Sequence, residues 1–156
     1  MSVLKTKGST LLEVLVVTGV LASIALGVMG TLATLSRFHQ KDMLAIKGQL
    51  LAEEGIESLR FIKSSDWSML SSIPSGENRY LELSESSWGV TTTPEIVDGT
   101  FWRIVKVYEV MRDMTDDIVS SGGTIDPNTL LLRSDVSWDW RGATSTIGYS
   151  SYITNI

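Results

Sequence analysis

The chain has 156 residues, a formal net charge of −5, no cysteine and one histidine. Without cysteine it has no disulfide framework, thiolate metal site or thiol nucleophile, and a single histidine excludes the usual multi-histidine metal sites. Residues 66–156 hold thirteen acidic and six basic side chains. An acidic half of this kind lacks the positive surface that binds nucleic acid, so no direct nucleic-acid binding is expected.

A long apolar segment lies near the N-terminus. No charged residue occurs between Val14 and Ser36, and a helix of this length, at about 1.5 Å per residue, crosses the hydrocarbon core of a bilayer. The stretch is longer than that of a secretory signal, and no small-residue cleavage site follows it. We therefore predict a transmembrane helix over residues 9–36, preceded by a basic leader, residues 1–8, whose lysines favour a cytoplasmic N-terminus.

Glu13 is the unusual residue of this segment. An ionisable side chain at the edge of a membrane span is costly, and it therefore indicates a function. The alternative is that Glu13 simply reaches the membrane surface at the start of the helix, where the helix dipole favours a negative charge. Taken alone, Glu13 does not distinguish the two.

The residues around Glu13 resemble a known family. K-G-S-T-L-L-E-V-L-V-V is similar to the prepilin-type cleavage and methylation segment of type IV pilins and pseudopilins, and the resemblance covers residues 5–32. It implies that a prepilin peptidase cuts after Gly8, that Ser9 becomes the N-methylated first residue, and that Glu13 pairs with the amine of a neighbouring subunit. The family usually has phenylalanine where this chain has Ser9.

The resemblance also implies a function. The chain would be a structural subunit of a type IV pilus-like filament, more specifically a minor pilin or pseudopilin, because residues 136–155 are similar to the last hairpin of minor pilins. Its partners would be membrane lipid, the prepilin peptidase and other pilin subunits in a homo- or hetero-filament. Many pilins carry a proline partway along this helix; here Gly27 and Gly30 are the helix-weakening residues nearest that place.

Location and biological output follow from the same resemblance. We expect a single-pass protein of the cytoplasmic (inner) membrane with its head outside, which then enters an extracellular pilus or pseudopilus. Such filaments serve adhesion, twitching motility, DNA uptake or protein secretion. The competing hypothesis is an uncleaved single-pass membrane protein whose extracytoplasmic β-rich head binds a partner. No G-x-S-x-G, P-loop or G-x-G-x-x-G motif occurs, so we expect neither enzymatic activity nor a small-molecule substrate.

Beyond the apolar segment the helical pattern continues in more polar sequence, over residues 37–64. Leucine, glycine and isoleucine recur there at steps of three and four, which places them on one helix face. Glycine weakens a helix, but on this face it would let a sheet approach closely. The predicted packing face consists of Leu44, Gly48, Leu51, Gly55, Leu59 and Ile62.

Residues 65–156 are predicted to form a β-rich globular head. A connection rich in serine, over residues 64–76, ends the helix. Alternation and the content of β-branched and aromatic residues predict five strands, at residues 80–83, 88–92, 100–112, 130–141 and 145–154. The predicted fold is α+β: a long N-terminal helix, half transmembrane and half amphipathic, packed on a four- to five-stranded antiparallel sheet, as in pilins.

Four aspartates gather in one part of the head: Asp113, Asp116, Asp117 and Asp126. Their carboxylate oxygens would suit a calcium ion. Their spacing matches no known calcium loop, however, and aspartate with glycine, asparagine and proline is also what turns require. We favour a plain loop and expect no cofactor, with calcium as the alternative.

Overall fold

The computed structural model describes residues 4–84 and 87–155, with side chains from Thr10 onward. Its helices and strands are α1 (Leu4–Ser65), α2 (Trp67–Ser71), β1 (Tyr80–Ser84), β2 (Ser87–Thr91), β3 (Ile96–Val97), β4 (Phe101–Arg112), β5 (Ile118–Val119), β6 (Thr124–Trp140) and β7 (Ala143–Thr154). The predicted α+β fold, a long N-terminal helix on an antiparallel sheet, is confirmed. The chain divides into two compact units, residues 1–42 and 43–156. Residues 1–3 of the predicted leader lie outside the described residues.

The main sheet has five antiparallel strands. β4 lies between β3 and β6, β7 pairs with the other side of β6, and β5 pairs with the far end of β4. β1 and β2 form a separate hairpin, and a bridge joins Arg79, just before β1, to Val105 of β4. The turn between β6 and β7 is two residues long, Arg141 and Gly142, with φ of 53° and 82°. Two successive positive φ values are typical of a type I′ turn, whose twist matches that of the strands it joins.

The C-terminal part of α1 packs on one face of this sheet. Every second side chain of a strand points to the same face, and on the helix side the buried apolar sheet residues include Phe101, Val105, Val107, Leu130, Leu132, Val136, Trp138 and Ile153. The helix contributes the buried side chains of Leu51, Ala52, Ile56, Leu59 and Ile62. Leu44, at the start of the predicted face, is half-buried. Ala52 and Ile56 were not in the prediction; they flank its stripe.

Two glycines determine how closely α1 approaches β6. A Cβ atom on Gly48 would lie 2.5 Å from the ring of Trp138, and a Cβ atom on Gly55 would overlap the hydroxyl of Ser134. Such distances are inside van der Waals contact, so neither position has room for a side chain at this helix–sheet distance. The buried Ser134 also interrupts the apolar alternation of β6, and Gly55 lies directly over it.

The connection after α1 is more structured than predicted. Within residues 64–76, Trp67–Ser71 form a short helix. The carboxylate of Asp66 accepts a hydrogen bond of 2.8 Å from the backbone N–H of Ser68, which is the geometry of an N-cap. The serine-rich composition predicted a loop, but an aspartate in this position was enough to start a helical turn.

β6 is longer than predicted, because it begins at Thr124 and not at residue 130. Opposite β4 the register jumps: Glu109 faces Leu130, whereas the next residue, Val110, faces Asp126. Residues 127–129 therefore bulge away from β4, and Pro127, which has no N–H to donate, lies in the bulge. Aspartate, proline and asparagine in sequence predicted a turn here, whereas the structure uses them for a bulge. The two-residue strands β3 and β5 were likewise not predicted.

The close approach at Gly55 is testable with a single methyl group. Gly55→Ala should lower the free energy of unfolding of unit 43–156 by about 1–3 kcal/mol, because overpacking outweighs the better helix propensity of alanine. Adding Ser134→Ala should recover part of the loss, since it removes the overlapping hydroxyl. Urea unfolding of the full chain in detergent measures both effects.

Gly30→Ala is the matched control, because a Cβ atom there meets nothing within 4 Å. It should leave the unfolding midpoint of the sheet unchanged. If Gly55→Ala behaved like Gly30→Ala, the helix would not be held at the distance described.

Candidate functional site

The first part of α1, in unit 1–42, is apolar and has no packing partner within the described chain. Its large apolar side chains, from Leu11 to Phe38, are all more than half exposed, up to 71% for Leu26. The mean hydropathy of its most apolar 18-residue stretch is 2.3, and no residue of that stretch is buried. Among the described residues this is the one helix long and apolar enough to cross a membrane, which makes it a candidate single membrane span.

Four hydroxyl side chains of this segment satisfy their hydrogen bonds inside the helix. The hydroxyls of Thr18, Ser23, Thr31 and Thr34 each donate to a backbone carbonyl four residues earlier, at 2.9–3.0 Å. A hydroxyl bonded in this way can lie in hydrocarbon without an unsatisfied donor. The helix continues without a break through Gly27 and Gly30, so a weakening there stays a prediction for the assembled state.

Glu13 is the one ionisable residue between Thr10 and Ser36. It lies in α1 with the exposed apolar side chains of Leu12 and Val14 on either side. Gly8 and Ser9 lie in the same helix, and Ser9 precedes Glu13 by four residues, so the two positions share a helix face. While this part of the helix is in water, the carboxylate of Glu13 is hydrated. In an apolar medium it would lose that hydration and would need a cationic partner.

A second exposed apolar stripe lies further along α1, within unit 43–156. Met43, Ile46 and Leu50 are 56%, 54% and 59% exposed, on the side of the helix away from the sheet. These three residues lie outside the predicted packing face of α1. The spacing of three and then four residues could have predicted the stripe, because it is the same signal that identified the inward face.

A buried arginine joins three elements of the same unit. The side chain of Arg103 in β4 is 3% exposed, and its guanidinium lies 3.5 Å from Glu54 of α1 and 3.4 Å from Glu95, just before β3. It also faces the ring of Trp88 in β2, 5.6 Å from the ring centre. Within the described part of the chain, Nε of Arg103 has no hydrogen-bond partner. Two half-exposed carboxylates and one ring therefore compensate the buried charge.

The four aspartates considered for calcium are used in two different ways. Asp113 accepts hydrogen bonds from the backbone N–H groups of Thr115 and Asp117, at 2.8 and 3.1 Å, which is how an aspartate holds a tight turn. Asp126 is part of β6 and accepts a hydrogen bond of 2.8 Å from Nε of Arg112. The carboxylate of Asp116 lies 3.6 Å from the same nitrogen.

This arrangement organises a loop around an arginine. In residues 10–84 and 87–155, no group of three or more histidine or acidic side chains is placed to hold a metal ion. Hydrogen bonds from the hydroxyl of Thr129 and from the guanidinium of Arg112 lower the pKa of Asp126 from 3.8 to about 2. Asp126 thus stays ionised and paired at any ordinary pH.

No known protein family, curated protein or solved structure matches this chain. Two features stand out: an exposed apolar helix with one carboxylate near its start, and an exposed apolar stripe on the part of that helix that packs on the sheet.

Removing the carboxylates around Arg103 should reduce stability more than removing the arginine itself. Replacing both carboxylates (Glu54→Gln with Glu95→Gln) leaves a buried guanidinium without an opposite charge. Because both carboxylates are half exposed and screened by water, the loss of unfolding free energy should be about 1–3 kcal/mol. Arg103→Met puts an apolar chain of similar length in the same space and should be close to neutral. Urea unfolding measures both, with Glu82→Gln, an exposed carboxylate of β1, as the control for lost charge. A larger loss for Arg103→Met would contradict the account.

Ionisation of Asp126 makes the folding stability depend on pH in the acid range. Because its pKa of about 2 in the folded chain lies below the ordinary 3.8, its contribution is present above about pH 4 and disappears as the pH falls toward 2. Asp126→Asn should abolish this part of the acid dependence, seen as urea midpoints that no longer fall over that range. Arg112→Gln should raise the pKa of Asp126 toward its ordinary value in an NMR titration. An unchanged acid profile in Asp126→Asn would refute the assignment.

Proposed function

We propose that this chain is a structural subunit of a type IV pilus-like filament, a minor pilin or pseudopilin, processed after Gly8 and polymerised through its N-terminal helix. The observation that carries the proposal is the apolar exposure on both parts of α1. A membrane would cover the span from Leu11 to Phe38, but it does not account for the second exposed stripe, Met43 to Leu50, because charged residues separate the two. Packing among the helices of neighbouring subunits would cover both.

Glu13 has a defined part in this proposal. In a filament core made of packed apolar helices, an unpaired carboxylate would carry a large desolvation cost. Cleavage after Gly8 creates a cationic amine at Ser9, on the helix face that Glu13 shares. An amine of one subunit that pairs with Glu13 of the next would fix the axial offset between them, because no other ionisable group lies within the apolar stretch. Methylation of the amine would keep its charge.

Before assembly, the same helix serves as an anchor. Its exposed apolar side chains and internally bonded hydroxyls suit the hydrocarbon of a bilayer. The lysines of the leader support a cytoplasmic N-terminus and an extracytoplasmic head. The proposed role is structural and assigns no catalytic group. Adhesion, motility, DNA uptake and secretion all remain compatible outputs of such a filament.

The proposal is tested by the mass of the N-terminal peptide, isolated from native cells. A peptide that begins at Ser9, with or without a methyl group, is the expected result, and Gly8→Val should abolish it. Glu13→Ala should still be processed but should be lost from sheared filaments, because its helix can no longer pair with a neighbour's amine. Glu82→Ala, which removes an exposed carboxylate of β1, is the matched control and should be incorporated normally.

An intact N-terminal peptide, in cells whose other prepilins are processed, would overturn the proposal. It would favour the uncleaved single-pass membrane protein with a partner-binding head. Processing without any effect of Glu13→Ala on incorporation would leave cleavage in place but remove the assigned role of Glu13.

A further inference from the structure

β7 forms a free edge of the main sheet. It pairs with β6 along twelve residues and with no other strand among the described residues. Its sequence, residues 143–154, contains no charged residue and no proline. Charges and prolines are the usual means by which proteins keep an edge strand from pairing with another chain. The edge is therefore open to the addition of a further strand.

The hydrogen-bonding groups that face this free edge can be identified. The N–H of Asn155 donates to the carbonyl of Asn128 at 2.8 Å, so this pair belongs to the bonded set of the antiparallel ladder. Bonded and non-bonded pairs alternate along the strand. Gly148, Ser150 and Tyr152 therefore fall in the non-bonded set with respect to β6, and their N–H and C=O groups point to the free edge.

Two clefts lie on either side of the same part of β7. On the solvent face of the sheet, a cleft of about 370 Å³ extends over β4, β5 and β6 and is bordered on the β7 side by Ser150 and Tyr152; Arg133 is among its lining residues. On the helix face, a cleft of about 320 Å³ lies between Glu53 and Glu57 of α1 and residues 149–151 of β7. Alternate side chains of a strand point to opposite faces. A strand added beside residues 149–152 would thus send alternate side chains into the helix-side cleft and over Ser150 and Tyr152, which form the near wall of the other cleft.

The helix-side cleft has an acidic wall. Glu57 is paired with Arg60, whereas no ion pair within the described chain includes Glu53. Arg60 also donates a hydrogen bond of 2.7 Å to the hydroxyl of Ser151, so its charge is held in place. The wall therefore favours a basic side chain. It disfavours a second copy of β7, because edge-to-edge pairing would bring two such acidic walls together.

We propose that the edge of β7 at residues 148–152 binds an extended segment of a partner protein, which adds as a further strand. Main-chain hydrogen bonds to Ser150 and Tyr152 supply the affinity, and the surroundings of the edge select alternate side chains: basic ones toward Glu53, apolar ones beside the ring of Tyr152. This docking site is separate from polymerisation through α1. It holds equally for a filament subunit and for an uncleaved membrane anchor.

The experiment uses the full chain in an uncharged detergent and a fluorescent peptide in which lysine alternates with valine. We expect binding by fluorescence anisotropy, with slowed hydrogen exchange at the amides of Ser150 and Tyr152. A peptide with glutamate in place of lysine should bind at least about tenfold more weakly. The lysine peptide methylated on its β7-facing amide nitrogens should lose a similar amount, because it lacks the main-chain donors.

Two proline variants form a matched pair. Ser150→Pro removes an edge-facing N–H but no bond of the β6–β7 ladder, so the fold tolerates it and peptide affinity should fall at least about tenfold. Thr144→Pro makes the same change at an edge-facing position outside both clefts and should leave affinity unchanged. Glu53→Lys should reverse the preference between the lysine and glutamate peptides.

Equal binding of the two peptides, or full affinity in Ser150→Pro, would overturn the proposal. So would a dimer through β7 that the lysine peptide does not dissociate, because the occupant would then be a second copy of the chain. If Ser150→Pro fails to fold, the methylated peptide decides the matter with the unaltered protein.

Discussion

The distance between α1 and β6 is set by two absent side chains, at Gly48 and Gly55, and the rest of unit 43–156 depends on it. At this distance the ring of Trp138 lies under the helix backbone and the aliphatic side chains of α1 reach both apolar clusters of the sheet. Glu54 also comes near enough to Arg103 to offset its buried charge. Any residue larger than glycine would lift the helix and loosen core packing and charge compensation together, because interiors of this density do not deform locally.

The same helix presents apolar side chains to opposite sides within one unit. Toward the sheet, leucines and isoleucines form the core of a folded domain; away from it, Met43, Ile46 and Leu50 remain in solvent. Soluble domains seldom leave such a stripe uncovered unless another molecule covers it. Packing on the sheet would therefore constrain the inner face of α1, and assembly would constrain its outer stripe. Substitutions on the outer stripe can change association without changing stability.

Elements whose signal is periodic could be predicted from the sequence, and elements made by single contacts could not. The packing face of α1 follows from spacing, and the strands β4 and β7 follow from alternation together with β-branched and aromatic content. α2 depends on one aspartate, and the early start of β6 depends on a bulge that accommodates Pro127, so composition pointed to loops. Among the candidate site residues, Gly8 and Glu13 were identified by the resemblance of their sequence to a known motif. The position of Arg103 could be read from its alternation with Phe101 and Val105, but its carboxylate partners lie in distant segments that only the fold brings together.

The start of α1 has a consequence for how the chain could be cut. The bond between Gly8 and Ser9 lies within α1, so its backbone is helical. A peptidase acts on an extended backbone, and a helical bond must first unwind. Glycine weakens a helix turn, so local unwinding at Gly8 would expose this bond. The helical strength of the few residues before Gly8 would then govern how fast a precursor matures, even with every recognition residue left in place.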